Sequence, residues 1–246
     1  MRQNRFFIKN IDLNQNSIEI EDVDVIHQIK NVLRLKAGDN ISVFNQCETE
    51  VTGPIIELMK KKLIFSKENM KKKSRKNEIE LDLCFSLIKK DKVEYVIQKC
   101  TEIGVSNFHP IISERTEKTG YKIDRLEKIA KEASEQSGRI NLPQINVPVS
   151  LGELLKQYET VNANTNENSF YLDLVDQKFN LNNLKQELEK NKNKKVKFFI
   201  GPEGGWGKGD LELFKKTGIK PVSLGENILR AETASISIAS IILLPH

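Results

Sequence analysis

Cysteine, histidine and long apolar runs are all scarce in this 246-residue chain. Cys47, Cys84 and Cys100 are odd in number, far apart and without any C-x-x-C spacing. That usage suits a reducing cytoplasm and argues against a disulfide framework or a zinc site. His27, His109 and His246 are too scattered to suggest a metal cluster. The longest apolar stretch, ISIASIILL near the C-terminus, is far too short to span a bilayer. The N-terminus lacks the basic and then apolar regions of a signal peptide. A soluble cytoplasmic protein with no membrane segment and no metal is therefore expected. Two nucleotide signatures are missing as well. In GPEGGWGKGD (201–210), Gly207-Lys208 is followed by Gly209 where a P-loop needs Ser or Thr. Gly205 and Gly207 lack the third glycine of a dinucleotide fingerprint.

Composition is ordinary for a globular chain, at 38% hydrophobic and 30% charged residues. The net charge of +5 is unevenly placed. Residues 57–76 hold nine Lys/Arg against two Asp/Glu, a local +7, which leaves the remainder at −2. Such a run is either a solvated linker or a phosphate-contacting patch, and charge alone does not choose.

Two rhythms divide the chain. In the first part RFFIK, SIEI, NISVFN, TEVTGPII and KLIF are β-rich segments parted by polar or glycine breaks. One helix, DVDVIHQIKNVLRL, interrupts them, with Val25, Ile26, Ile29, Val32 and Leu33 at helical spacing. His27 on that helix reads as a structural histidine. Short strands around one helix suggest a small barrel, with the basic stretch near 66–78 as the seam. The second part alternates strand and helix: IELDLCFSL, then KKDKVEYVIQKCTEIGV, FHPII, DRLEKIAKEASEQSG, SFYLDLV, LNNLKQELEK, KVKFFI, DLELFKKTG with Asp210 as N-cap, KPVSLG and a last helix from near Thr233. That alternation predicts a mostly parallel α/β sheet. The expected division is 1–73 and 74–246.

Two glycine-containing turns, IGPEGG (200–205) and LGENILRAETA (224–234), each follow a strand. Ligands of α/β sheets bind beyond the carboxyl ends of strands, so the two turns can share one pocket. Bare backbone beside Ile228 and Leu229, with Arg230 and Glu232 adjacent, suits a flat aromatic ring with a polar end. The alternative is that the apolar pair is core, the charged pair an ion pair, and the glycines only turn the chain.

IGPEGGW followed by LGENILRAETA resembles the C-terminal signature of bacterial methyltransferases that make 3-methyluridine in small-subunit (16S) ribosomal RNA, members of the SPOUT or α/β-knot class. RFFI, IHQIKNVLRLKAGD and ISVFN resemble that family's PUA-like RNA-binding barrel. KKDKVEYVIQKCTEIGV, ISERT and EASEQSGRINLP resemble the first half of its catalytic domain. Trp206 stands where Phe is usual, GKGD replaces a more acidic run, and Ala231 occupies a position often Thr. The resemblance implies S-adenosylmethionine bound within a trefoil-knotted, mostly parallel sheet, and a homodimer. Its cofactor positions fall on Leu172, Ile200, Gly201, Glu203, Gly204, Gly205, Leu224, Gly225, Ile228, Leu229 and Ala234. Its partner is small-subunit ribosomal RNA, free or in an assembled subunit.

Uridine N3 carries a proton and is a poor nucleophile until that proton leaves, so the site needs a base or a cation that stabilises deprotonated uracil. Arg230 is the candidate cation, or else a structural partner of Glu203 or Glu232. No histidine falls in the two turns, and the base is left unassigned. RNA contacts are expected from Arg5 and Arg34 on the barrel and from Lys89, Arg115 and Arg139 near the cleft. Methylation of another RNA position, such as a ribose hydroxyl, and a non-catalytic RNA-binding assembly factor are the rival functions.

Overall fold

A computed structural model of the chain describes residues 4–47, 49–72, 79–117, 120–162, 168–173, 181–190 and 195–244. They divide into two compact units, Met1–Arg75 with Lys131–Leu142, and Lys76–Ala130 with Pro143–His246. The expected seam at 73/74 lies outside the described residues.

The first unit holds β1 (Asn4–Phe7), β2 (Ser17–Ile20), α1 (Val23–His27), β3 (Asn40–Phe44), β4 (Thr49–Leu58), β5 (Leu63–Ser66) and β6 (Asn69–Lys72). The strand order is β1-β3-β4-β5-β2, with β6 also paired to β4. Among the described residues, β1 and β3 run parallel and the other pairs of this unit are antiparallel. The ten-residue β4 shifts register between Ile55 and Glu57, and such an irregularity bends a long strand so that it can serve two sheets. Phe6, Ile18, Ile20, Ile29, Ile41, Val43, Val51, Ile55, Leu63 and Phe65 fill the interior. β6 corrects the expectation that 66–78 is only a seam. Its lysine-rich sequence hides a strand that pairs Asn69–Lys72 with Thr49–Thr52. The expected helix from 22 to 35 is also modified. Asp22 caps α1 by accepting the Asp24 and Val25 amides at 3.0 and 3.1 Å. A π-helical turn, Gln28–Val32, then replaces regular helix, and Arg34 follows at φ 56°. His27 is exposed rather than structural.

Arg5 explains why 131–142 belongs with the barrel. Its Nε donates to Glu50 Oε1 at 2.7 Å, and its Nη atoms donate to the carbonyls of Ser134, Glu135 and Arg139 at 3.0–3.1 Å. The guanidinium lies 4.7 Å from the Phe44 ring centroid. The Glu135 carboxylate in turn accepts the Phe7 amide at 2.9 Å, and burial raises its pKa.

The second unit contains β7 (Glu80–Ser86), α2 (Lys90–Ile103), β8 (Asn107–Ile112), β9 (Gln144–Ile145), β10 (Val149–Ser150), α4 (Leu151–Asn162), β11 (Asn168–Leu172), α5 (Leu181–Lys190), β12 (Lys195–Ile200), α6 (Lys208–Thr217), β13 (Lys220–Val222) and α7 (Ala231–Leu243). The intervening α3 (Ile123–Ser137) has its first half here and its second half in the first unit. Every recorded pairing in this sheet is parallel, in the order β10-β8-β7-β12-β11-β13, with β9 beside β8. A parallel sheet must be covered on both faces. α2 and α7 pack together, α7 also touching β7 and β12, and they cover Leu81, Leu83, Phe85, Phe198 and Ile200. α4 and α6 pack together with Cys84, Ile111, Phe199 and Phe214. Burial pushes the Cys84 and Cys100 thiols up, which keeps them protonated and unreactive. Among the described residues no helix is long and apolar enough to cross a membrane, and no group of His, Cys, Asp and Glu could hold a metal ion.

Candidate active site

The parallel register brings the carboxyl ends of β11, β12 and β13 side by side, pairing Leu172 with Val222 and Tyr171 with Phe199. The segment after β12 turns at once: the Gly205 amide donates to the Pro202 carbonyl at 2.9 Å, with Gly205 at φ 69°. Trp206 folds back, its Nε1 donating to the Leu172 carbonyl at 2.8 Å. Its ring meets Tyr171 and Phe214 edge to face, and a Cβ on Gly201 would stand 3.1 Å from it. Gly201 is therefore bare against the chain's own indole.

α6 begins at Lys208, directly after Gly207, and not after an Asp210 N-cap as expected. Gly207 is the N-cap and Asp210 the third helical residue, its Oδ2 accepting the Gly207 amide at 2.9 Å. Burial pushes the Asp210 carboxyl pKa up, although the Gly207 and Glu114 amides that it accepts act in the opposite direction.

The segment after β13 is built differently. Ser223 Oγ accepts the Gly225 amide at 3.2 Å, and Gly225 sits at φ 122°. Glu226–Leu229 make no hydrogen bond among the described residues. Ile228 is 83% exposed, while Leu229 packs partly on the sheet core. Arg230 is the exposed N-cap of α7, and Ala234 is buried one turn later. Glu232 pairs instead with Lys92 at 3.4 Å, and Glu203 is exposed. Arg230 consequently has no ion-pair partner among the described residues, and of its two expected roles the structural pair is not the one formed.

Leu172, Ile200, Gly201, Glu203, Gly204, Gly205, Leu224, Gly225, Leu229 and Ala234 all stand on this one rim or on the helix it enters. Ile228 is there too, but its side chain points into solvent. The sequence reading missed Glu114. That residue follows β8 in ISERT, and its Oε1 accepts the Gly209 amide at 2.9 Å. Arg115 beside it donates from Nη1 to the Gly204 carbonyl at 2.6 Å. Lys89 is exposed at the start of α2, and Arg34 is exposed in the first unit. Arg5 requires correction: its side chain is 8% exposed and its donors are committed inside the first unit, so no phosphate can reach it directly. Arg139 is half-buried, its Nε donates to Asn141 at 3.0 Å, and burial lowers its pKa to about 10. It remains charged at neutral pH but is not a free phosphate contact.

The chemistry of this rim suits S-adenosylmethionine. Gly205 and Gly225 have open space where a Cβ would stand, the unbonded amides of 226–229 are free to be satisfied, and Leu172, Leu224 and Leu229 supply apolar surface. The RNA methyltransferase domain family matches residues 75–243, and the RNA methyltransferase PUA domain matches 20–68. A Rickettsia conorii ribosomal RNA small subunit methyltransferase E is 32% identical over 241 residues, covering 96% of this chain and 93% of that protein. The chain belongs to the ribosomal RNA small subunit methyltransferase E family. Its Bacillus subtilis relative of the same name is 29% identical, over 86% of this methyltransferase and 84% of that one. A Legionella pneumophila methyltransferase solved with bound S-adenosylmethionine superposes at a TM-score of 0.84 and 25% identity, covering 98% of this chain and 97% of that one. A Neisseria gonorrhoeae methyltransferase E, also bound to S-adenosylmethionine, shares the fold at a TM-score of 0.80 and 24% identity, covering 97% and 95%. The methyltransferase thus pairs a PUA-like unit with an α/β, mostly parallel catalytic unit.

Proposed function

We propose that this enzyme transfers a methyl group from S-adenosylmethionine to N3 of a uridine in small-subunit (16S) ribosomal RNA, as a cytoplasmic homodimer. Residues 1–73 serve as the RNA-binding barrel and 74–246 as the knotted catalytic domain. The observation that carries the reading is the pairing of two glycine turns at the carboxyl rim of a parallel sheet, one with unbonded amides and an unpaired arginine, in a chain of this family. The cofactor, when bound, supplies an electrophilic methyl on a sulfonium. The chain's own part is to hold the two reactants in line and to manage the charge left on uracil. Arg230, exposed at the start of α7, presents a permanent cation for the uracil that has lost its N3 proton. Lys89 and Arg34, both exposed, are the proposed phosphate contacts that position the RNA.

Nucleoside mass spectrometry on small-subunit rRNA from cells with and without the gene tests this directly. Loss of 3-methyluridine on deletion, restored by the wild-type chain, is the expected result. Loss of a different methylated nucleoside overturns the substrate, and no change at all favours a non-catalytic binding role. Arg230→Ala should lower turnover by about 100-fold while leaving cofactor affinity within about threefold. Unchanged turnover would remove Arg230 from the chemistry.

A further inference from the structure

We propose that Glu114 and Arg115, consecutive residues of the turn after β8, are positioning residues that preset the 201–209 segment for the cofactor. The inference rests on the proposed function, which assigns that segment to S-adenosylmethionine. It reassigns Arg115 from RNA to the cofactor segment and gives Glu114 its first role.

Three strands of geometry meet here. Glu114 and the start of α6 hold each other reciprocally: Glu114 Oε1 accepts the Gly209 amide at 2.9 Å, while the Glu114 amide donates to the Asp210 carboxylate at 3.2–3.3 Å. Asp210 closes the ring by accepting the Gly207 amide. Two carboxylates thus face the amide-rich, positive end of one helix, where negative charge is stabilised. The glycines confirm how close the approach is. A Cβ on Gly207 would stand 2.7 Å from Glu114 Cβ and overlap its carboxylate, and one on Gly209 would overlap the same carboxylate. Two of the five glycines in this segment therefore make room for Glu114, not for a ligand. Finally, Arg115 reaches the other end of the segment. Its hydrogen bond to the Gly204 carbonyl fixes the peptide directly before Gly205, the residue whose positive φ turns the chain.

The anchor itself is stiff. Ser113 and Thr116 bond each other through the Ser113 amide at 2.9 Å and the Thr116 amide at 3.1 Å, and Ser113 Oγ lies 2.9 Å from Ser86 Oγ. Glu114 and Arg115 consequently project from a turn braced to the adjacent strand β7. The Ser86–Ser113 brace, the Glu114–Gly209 bond and the Arg115–Gly204 bond together transmit the position of β8 to the peptides that a cofactor would meet.

The test uses the full-length protein and the variants Glu114→Ala, Glu114→Gln and Arg115→Ala. Three quantities are measured: S-adenosylmethionine affinity by calorimetry, rRNA affinity across a salt series, and amide hydrogen exchange at Gly204–Gly209 without cofactor. Both alanine variants should weaken S-adenosylmethionine binding by about tenfold, the order expected for a hydrogen bond involving a charged side chain. Glu114→Gln keeps an oxygen acceptor for the Gly209 amide and should recover affinity to within about threefold of wild type. Exchange at Gly207 and Gly209 should accelerate in Glu114→Ala, with rRNA affinity and its salt slope unchanged. Unaltered exchange and cofactor affinity in the alanine variants would overturn the proposal. So would an Arg115→Ala variant that binds cofactor normally while its rRNA salt slope falls by about 0.7–0.9, the signature of one lost phosphate contact. If wild-type protein binds no S-adenosylmethionine, the functional reading fails separately, since the exchange measurement still reports whether Glu114 holds the segment.

Discussion

The segment after β12 is fastened at nearly every residue, whereas the one after β13 is fastened at its ends. Gly204, Gly205, Trp206, Gly207 and Gly209 are bonded to Arg115, Pro202, Leu172, Asp210 and Glu114 in turn. Glu226–Leu229 have no such bonds among the described residues, and Ile228 lies open to solvent. On the proposed function, the fastened segment is preset for the cofactor, and presetting lowers the ordering cost of binding. The same contrast separates two arginines: Arg5 makes four hydrogen bonds inside the barrel unit and holds structure, while Arg230 is exposed and has no ion-pair partner among the described residues.

Four substitutions would sharpen or break that contrast. Arg5→Ala should cost the most, about 3–5 kcal/mol by urea unfolding, because it strands Glu50 as a buried, unpaired carboxylate. A loss near zero would mean that Arg5 is solvent-exposed after all. Gly207→Ala should cost about 2–3 kcal/mol, since the new methyl has no room beside Glu114. A wild-type denaturation midpoint for it would refute the close approach of the 113–116 turn. Trp206→Phe keeps the ring contacts but removes the donor to Leu172, and a loss of about 1 kcal/mol is expected. Ile228→Ser should change stability by less than about 0.5 kcal/mol, because its side chain is largely exposed to solvent. Its effect should show instead in weaker cofactor binding. A loss above 1 kcal/mol would show that the second segment is packed in solution, and the contrast would collapse.

Most strands and helices could be read from spacing. Val93, Val96, Ile97 and Cys100 predict α2, and the break at Gly104 is where it ends, at φ 120°. Two elements and one helix start escaped for identifiable reasons. β6 is too charged to read as a strand, and only pairing with β4 makes it one. α4 follows the two-residue β10 so closely that its boundary gives no break to detect. At α6 the N-cap is Gly207 and not Asp210, because the Asp210 carboxylate turns back to accept the Gly207 amide while Glu114, remote in sequence, accepts that of Gly209. Of the candidate site, the two glycine turns after strands were legible, and the structure sets those strands on either side of β11. Glu114 was not, because nothing in ISERT says that its carboxylate reaches a helix 95 residues away.

By itself the sequence determined the local repertoire: apolar periodicity set which segments become strands and helices, glycines set where the backbone can turn at positive φ, and the motif pair identified the family. Those are properties of short stretches, governed by side-chain direction and backbone sterics. Tertiary structure decided which glycine has open space beside it and which faces the chain's own Glu114, which arginine is buried and which is exposed, and that Glu232 pairs with Lys92. Each of these depends on distances between residues remote in sequence. A buried charge or amide takes whichever partner the fold brings within reach, because leaving it unpaired costs more than any local preference supplies.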